Sequence, residues 1–235
     1  GHGWLLFDHD KMSKSKGNVV YPGPVVRRYG ADALRYYLMR EMPFGADGNY
    51  SNEALMKRIN SDLANDLGNL LSRTAAMIGK YVDGVLPAPS AYEAADQALI
   101  RLVEALPQAV EEQMNSLQFS QALSEIWRVI GECNRYIDET QPWVLGKNPD
   151  TKPRLGTVLY VLAEALRYVA VLISPVMPST PVRIYAQLGL DDKALMTWES
   201  LASFGRLIPG LKVTKADALF PRIDLAVDLP LLEQE

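Results

Sequence analysis

The chain has 235 residues, 48% hydrophobic and 22% charged, an ordinary globular composition that can bury a core as one large or two small domains. Its single cysteine, Cys133, excludes an internal disulfide, and its two histidines leave no Cys/His cluster with zinc-ligand spacing, so no metal site is expected. The net charge of −4 argues against a uniformly basic nucleic-acid binder, yet residues 11–40 hold seven Lys or Arg against one acid, Asp32, which suits a protein that meets phosphate at selected places.

The first elements are short. An apolar run over residues 4–7 leads into Lys11-Met12-Ser13-Lys14-Ser15, followed at once by Lys16 and Gly17. Ammonium groups on flexible stems neutralise phosphate oxygens as point charges, Ser13 and Ser15 add hydroxyl donors without bulk, and Gly17 lets the loop bend. By composition alone the same residues also make a solvated basic loop. Pro22-Gly23-Pro24 then punctuates the chain, and Pro24 suits the first turn of a helix whose apolar face is Val25, Val26 and Tyr29 and whose end is Gly30. A second helix is predicted over 31–41 from the spacing of Leu34, Tyr37 and Leu38, before a break at 43–48.

From Ser51 onward the pattern is almost continuous helix. Ser51 reads as an N-cap with Glu53 in the first turn, and Leu55, Ile59, Leu63, Leu67, Leu70, Leu71, Ile78 and Tyr81 recur every three or four residues up to a stop near Gly84. Further helices are predicted over 94–114, kinked at Pro107, over 120–137 and over 153–174. The apolar stretch 158–176 is interrupted by Glu164, Arg167 and Ser174, so it reads as a buried helix, and we expect neither a signal peptide nor a membrane span. A proline-rich corner over 175–181 precedes a short helix through Ile184 and Leu188, and beyond Pro209 the periodicity is too weak to define an element.

Two groups on this helical part carry chemistry. Asn69 and Arg73 lie four residues apart and project from one helix face, where an amide and a guanidinium can read the edge of an unstacked base, or simply form a solvated pair. Far along the chain, Asp138-Glu139-Thr140-Gln141-Pro142-Trp143 places an indole beside a rigid proline at a helix end, ready to stack on a nucleobase or to cap the helical core.

Lys-Met-Ser-Lys-Ser, between an apolar run and Gly17-Asn18-Val19-Val20, resembles the KMSKS signature loop of class I aminoacyl-tRNA synthetases, which stabilises ATP phosphates as the aminoacyl-adenylate forms. Gly3-Trp4, Tyr29-Gly30-Ala31-Asp32-Ala33-Leu34-Arg35-Tyr36-Tyr37, Pro43-Phe44-Gly45 and the run from Asp62 to Leu70 resemble the methionyl-tRNA synthetases, and the likeness extends from residue 2 to about 225. That resemblance implies a mainly α fold, a helical-bundle anticodon-binding domain preceded by a short α/β segment that carries the loop. The implied domains are 1–50, the end of the catalytic region; 51–225, the anticodon-binding domain; and 226–235, a tail. It also implies that Lys14, supported by Lys11 and flanked by Met12, Ser13 and Ser15, contacts ATP with its Mg2+, and that Asn69, Arg73, Pro142 and Trp143 recognise the anticodon of tRNA(Met).

The sequence departs from a complete synthetase in lacking a His-Ile-Gly-His element, a nucleotide-binding βαβ unit and an amino-acid pocket. We therefore expect a missing N-terminal catalytic region, no methionyl-adenylate synthesis by the chain alone, and exposed apolar surface around Trp4, Leu5 and Leu6, in a cytoplasmic protein. Two other readings are the corresponding region of a leucyl or cysteinyl synthetase, and a non-catalytic helical RNA or protein interaction module with a modification site at Ser13 or Ser15.

Overall fold

The computed structural model describes residues 3–7 and 10–234, so His2 and His9 lie outside the described residues. Three short strands open the fold: β1 (Leu5–Phe7), β2 (Asp10–Lys11) and β3 (Gly48–Tyr50). β1 lies in the middle, antiparallel to β2 with Leu6 opposite Lys11, and parallel to β3 with Leu5 opposite Gly48. Two glycines allow the approach. A Cβ on Gly48 would meet the Met42 sulfur at 2.0 Å, and one on Gly3 would meet the Ala46 backbone at 2.3 Å. The Gly48 N–H donates to the Trp4 carbonyl at 2.9 Å, and the Trp4 N–H donates to Asp47 Oδ1 at 2.6 Å.

Between β2 and β3 run α1 (Pro22–Tyr29) and α2 (Ala31–Glu41), separated by Gly30 at φ 85°. The first starts two residues before the expected Pro24, because Pro22 already satisfies the first-turn position where a missing N–H costs nothing. The second has the predicted bounds. Its polar residues fasten it to the rest of the molecule: Asp32 Oδ2 accepts the Ser179 and Thr180 N–H groups at 2.9 and 2.7 Å and the Thr180 hydroxyl at 2.7 Å. Arg35 donates to the carbonyls of Val176 and Pro175 at 2.7 and 2.9 Å, so the proline corner is held through its backbone.

The long predicted helix is present, capped as expected by Ser51, whose hydroxyl accepts the Ala54 N–H at 3.1 Å. It is not uniform. α3 (Asn52–Arg58) widens into a π-helical stretch, Ile59–Gly68, before α4 (Asn69–Tyr81) resumes the ordinary ladder. The Asn69 N–H still reaches back five residues to the Ala64 carbonyl. On the wide stretch the buried Asp62 is met by Tyr36, whose hydroxyl donates to it at 2.6 Å, by Arg58 at 3.2 Å, and by the Trp127 indole N–H, which donates to its carbonyl at 3.1 Å. Arg58 also pairs with Glu41 of α2.

α5 (Ala94–Asn115) passes through Pro107 without ending and packs along α6 (Phe119–Thr140). After the one-turn α7 (Pro142–Leu145), α8 (Lys152–Ile173) forms the centre of the bundle, touching α4, α5, α6 and α9 (Thr180–Leu188). α8 is apolar enough to cross a membrane by composition, but its apolar window is wholly buried within the fold. Its two buried charges pair inside: Arg167 donates to both oxygens of Glu164 at 2.9 and 2.8 Å, to Ser200 Oγ at 2.6 Å and to the Leu195 carbonyl at 3.0 Å, while Glu164 Oε1 accepts the N–H groups of Gly205 and Arg206. This satisfied pair clamps the irregular segment after α9 onto the bundle.

Residues expected to form a tail instead carry α10 (Leu225–Glu233), capped by Asp224 and packed against α3 with Leu232 buried. The Ile223 N–H and carbonyl both bond to the Asn60 side chain at 2.8 Å, which fixes its approach.

Candidate functional site

The lysine loop leaves β2 and folds back on itself. Lys14–Lys16 make one 3-10 turn that ends at Gly17, where φ of 69° is left-handed and costs a glycine nothing. Its three ammonium groups stand in different surroundings. Lys11 lies 4.0 Å over the Trp4 ring, and Lys16 pairs with Asp10 at 2.7 Å. Hydrogen bonds from Lys16 and from the Lys11 backbone hold the Asp10 carboxyl below its ordinary range. Lys14 is exposed and has no ion pair among the described residues. The Ser13 and Ser15 hydroxyls bond each other at 2.8 Å, while Met12 is half-buried toward Leu5, Val20 and Leu38. Trp4 is 63% exposed and stands at the mouth of an apolar groove of about 400 Å³ lined by Leu5, Met39, Met42, Phe44 and Phe119. Apolar surface is therefore open at this end, as the sequence led us to expect, with Leu5 and Leu6 only partly covered.

The second constellation forms where α4 passes the corner between α6 and α7. Arg73 comes from α4, and its guanidinium carbon lies 6.0 Å from the Trp143 ring centre. Its Nη2 donates to Asp138 Oδ1 at 2.7 Å, so α6 fixes the guanidinium beside the indole. Trp143 itself is 38% exposed, which rules out a purely core-capping role. The corner that presents it is unusual: Gln141 has φ 46° and ψ 61°, a left-handed conformation that a side chain tolerates at some cost. Pro142 is buried as the first residue of α7, so it shapes the turn and lies away from solvent. Asn69 is exposed one turn before Arg73 on the same helix face, and its side chain has no hydrogen-bond partner among the described residues. Underneath, Gly146 meets Tyr81 so closely that a Cβ would sit 2.4 Å from its ring, and the Thr151 hydroxyl donates to the Leu145 carbonyl at 2.6 Å.

Residues 1–75 match the family model "tRNA synthetases class I (M)", and residues 86–227 match "Anticodon binding domain of methionyl tRNA ligase". The chain belongs to the methionyl-tRNA synthetase family. These matches set aside the leucyl and cysteinyl alternatives. The methionine–tRNA ligase of Caldanaerobacter subterraneus subsp. tengcongensis is 60% identical over 235 residues, covering 100% of this chain and 36% of that protein. That of Clostridium tetani is 57% identical over 225 residues, covering 96% and 35%. Mycobacterium tuberculosis methionyl-tRNA synthetase in complex with methionyl-adenylate superposes with a TM-score of 0.88 at 39% identity, over 94% of this chain and 43% of that one. The chain thus spans about 36% of the length of the curated relative first named.

Sequence reasoning missed two residues at these sites. Asp138 was visible only as part of a turn, because its partner lies 65 residues away. Asn18 was visible only as part of the stretch after the lysine signature, although its side chain reaches back to both Ser13 and Lys11.

Proposed function

We propose that this chain is the phosphate-contacting and anticodon-reading part of a methionine–tRNA ligase, which joins methionine to tRNA(Met) through methionyl-adenylate at the expense of ATP. The observation that carries the reading is Arg73 held by Asp138 beside a partly exposed Trp143, within a segment matching the anticodon-binding model. An indole face can stack on a splayed base while the guanidinium and the Asn69 amide bond its edge. Pro142, buried as the first residue of α7, contributes through the turn that presents Trp143. We place the boundary between the catalytic-end segment and the helical domain at Ser51, where the cap of α3 begins a new element, and count α10 with the helical domain that it packs against.

At the other end, Lys14, supported by Lys11, would stabilise charge on the pyrophosphate as the methionine carboxylate attacks the α-phosphorus of ATP. Loss of one preorganised donor raises such a barrier by about 2.7–4 kcal/mol. Mg2+ would enter with the nucleotide, bridging its phosphate oxygens and neutralising their charge. The one thiol, Cys133, is buried and unpaired, which suits a reducing compartment, and we assign the protein to the cytoplasm.

The test is binding of a hairpin RNA carrying a CAU loop to this chain, against hairpins with unrelated loops. Preference for CAU is expected, with Trp143→Ala weakening it by about 1–3 kcal/mol. Equal binding to all loops would overturn the reading.

A further inference from the structure

Asn18 lies outside the five-residue lysine signature, yet its carboxamide spans the neck of the loop. Oδ1 accepts the Ser13 N–H at 2.8 Å, and Nδ2 donates to the Lys11 carbonyl at 3.2 Å. Inside that ring the Lys16 N–H donates to the Ser13 carbonyl at 3.1 Å, and the Gly17 N–H donates to the Lys14 carbonyl at 3.3 Å. The residue immediately before Lys14 is thereby fixed on both its N–H and its carbonyl. Two of the three ammonium groups are already engaged, Lys11 over Trp4 and Lys16 on Asp10, and Lys14 alone has neither an ion pair nor a ring contact among the described residues.

We propose that Asn18 is a positioning residue for adenylate formation: its carboxamide closes the lysine loop at the neck and sets the direction in which Lys14 leaves the backbone. The proposal rests on the reading of this loop as the phosphate-contacting element. Its physical basis is preorganisation. A cation that stabilises developing charge is most effective when it need not be reoriented as the charge appears, and a loop free at its neck must be ordered during the reaction. The task calls for a donor and an acceptor on one short side chain. Aspartate would keep the acceptor for Ser13 but turn an oxygen toward the Lys11 carbonyl, and alanine would supply neither group.

The test uses the full-length enzyme that carries this chain, assayed by methionine-dependent exchange between ATP and pyrophosphate. Wild type, Asn18→Ala, Asn18→Asp, Lys14→Ala and the Lys14→Ala/Asn18→Ala double variant are compared, with binding of the CAU hairpin as the measure of intact folding. Asn18→Ala is expected to lower kcat by about 10- to 100-fold, the size of effect seen when a supporting hydrogen bond behind a functional group is lost. The KM for methionine stays within about twofold, because the effect is confined to the transition state. Asn18→Asp falls between Asn18→Ala and wild type, and the double variant is no slower than Lys14→Ala, since Asn18 acts through Lys14. An Asn18→Ala enzyme with wild-type kcat beside an impaired Lys14→Ala enzyme overturns the clamp alone, as does an additive double variant. Lys14→Ala at the wild-type rate overturns the reading of the loop and the clamp with it.

Discussion

Arg73 shows how one side chain acquires a role from two partners that sequence spacing cannot connect. Its guanidinium carbon is 6.0 Å from the Trp143 ring and its Nη2 is 2.7 Å from Asp138. The pair with Asp138 is substantially solvated, so its energetic value is small and its effect is mainly on direction. Asp138→Ala should therefore weaken binding of the CAU hairpin by less than Arg73→Ala does, at most about 1 kcal/mol, with unfolding midpoints in urea unchanged; isothermal titration and urea melts measure both. A loss equal to that of Arg73→Ala would mean that Asp138 itself contacts RNA. Cys133 gives a prediction of a different kind. Burial pushes its thiol up to about 12, with the charge of Glu132 adding to the effect, so almost no thiolate exists at neutral pH. Alkylating reagents at pH 8 should leave the native protein unmodified and label one thiol per chain in denaturant, and rapid native labelling would show that α6 opens readily.

At the scale of elements, the joint between the N-terminal segment and the bundle is made by α2 and the π-helical stretch. Asp32 is the N-terminal cap of α9 across a separation of about 150 residues, accepting three hydrogen bonds where the helix leaves its N–H groups unsatisfied. Asp32→Ala should lower stability by about 2–3 kcal/mol, read from the urea midpoint, because the Thr180 amide and hydroxyl are buried and would lose their acceptor. Asp32→Asn should recover part of that, keeping one acceptor oxygen without the charge. The wide turn makes a second demand. A Cβ on Gly68 would lie 2.9 Å from the Leu63 carbonyl oxygen, the atom one wide turn below it. Gly68→Ala should thus destabilise the fold by about 1–3 kcal/mol despite the higher helix propensity of alanine, and faster amide exchange along Ile59–Gly68 would locate the damage. Stabilisation would show that the stretch converts to an ordinary α-helix at no cost.

Across the whole molecule, the sequence made the helices legible wherever an apolar stripe recurs every three or four residues, as in Ala31–Glu41, whose bounds were read correctly, and in the buried α8. The π-helical stretch was hidden because a four-residue spacing of Leu55, Ile59, Leu63 and Leu67 fits ladders of either width. Strands of two and three residues carry no period at all, and Asp10–Lys11 exists only through its pairing with β1. α10 was obscured by Pro230 inside it and forms because α3 offers Leu232 a face. At the candidate sites the types of Lys14, Asn69, Arg73 and Trp143 were readable from motif resemblance, whereas the holders Asp138 and Asn18 became identifiable only when folding brought their partners near. The same long-range packing sets the pH response of the fold. Asp66, on the wide stretch, is partly buried near the charge of Asp62, and both burial and that neighbour raise its pKa above the ordinary carboxylate value. A raised folded-state pKa means that the native protein holds this proton more tightly than the unfolded chain does. The stabilising contribution is therefore complete below the unfolded pKa, about 3.9, and disappears as pH rises through the folded value. Asp66→Asn, which cannot ionise, should raise the urea midpoint at pH 7 and leave it nearly unchanged at pH 3, where the native carboxyl is already protonated. An identical shift at both pH values would assign the effect to the side-chain amide and remove Asp66 from the account of pH dependence.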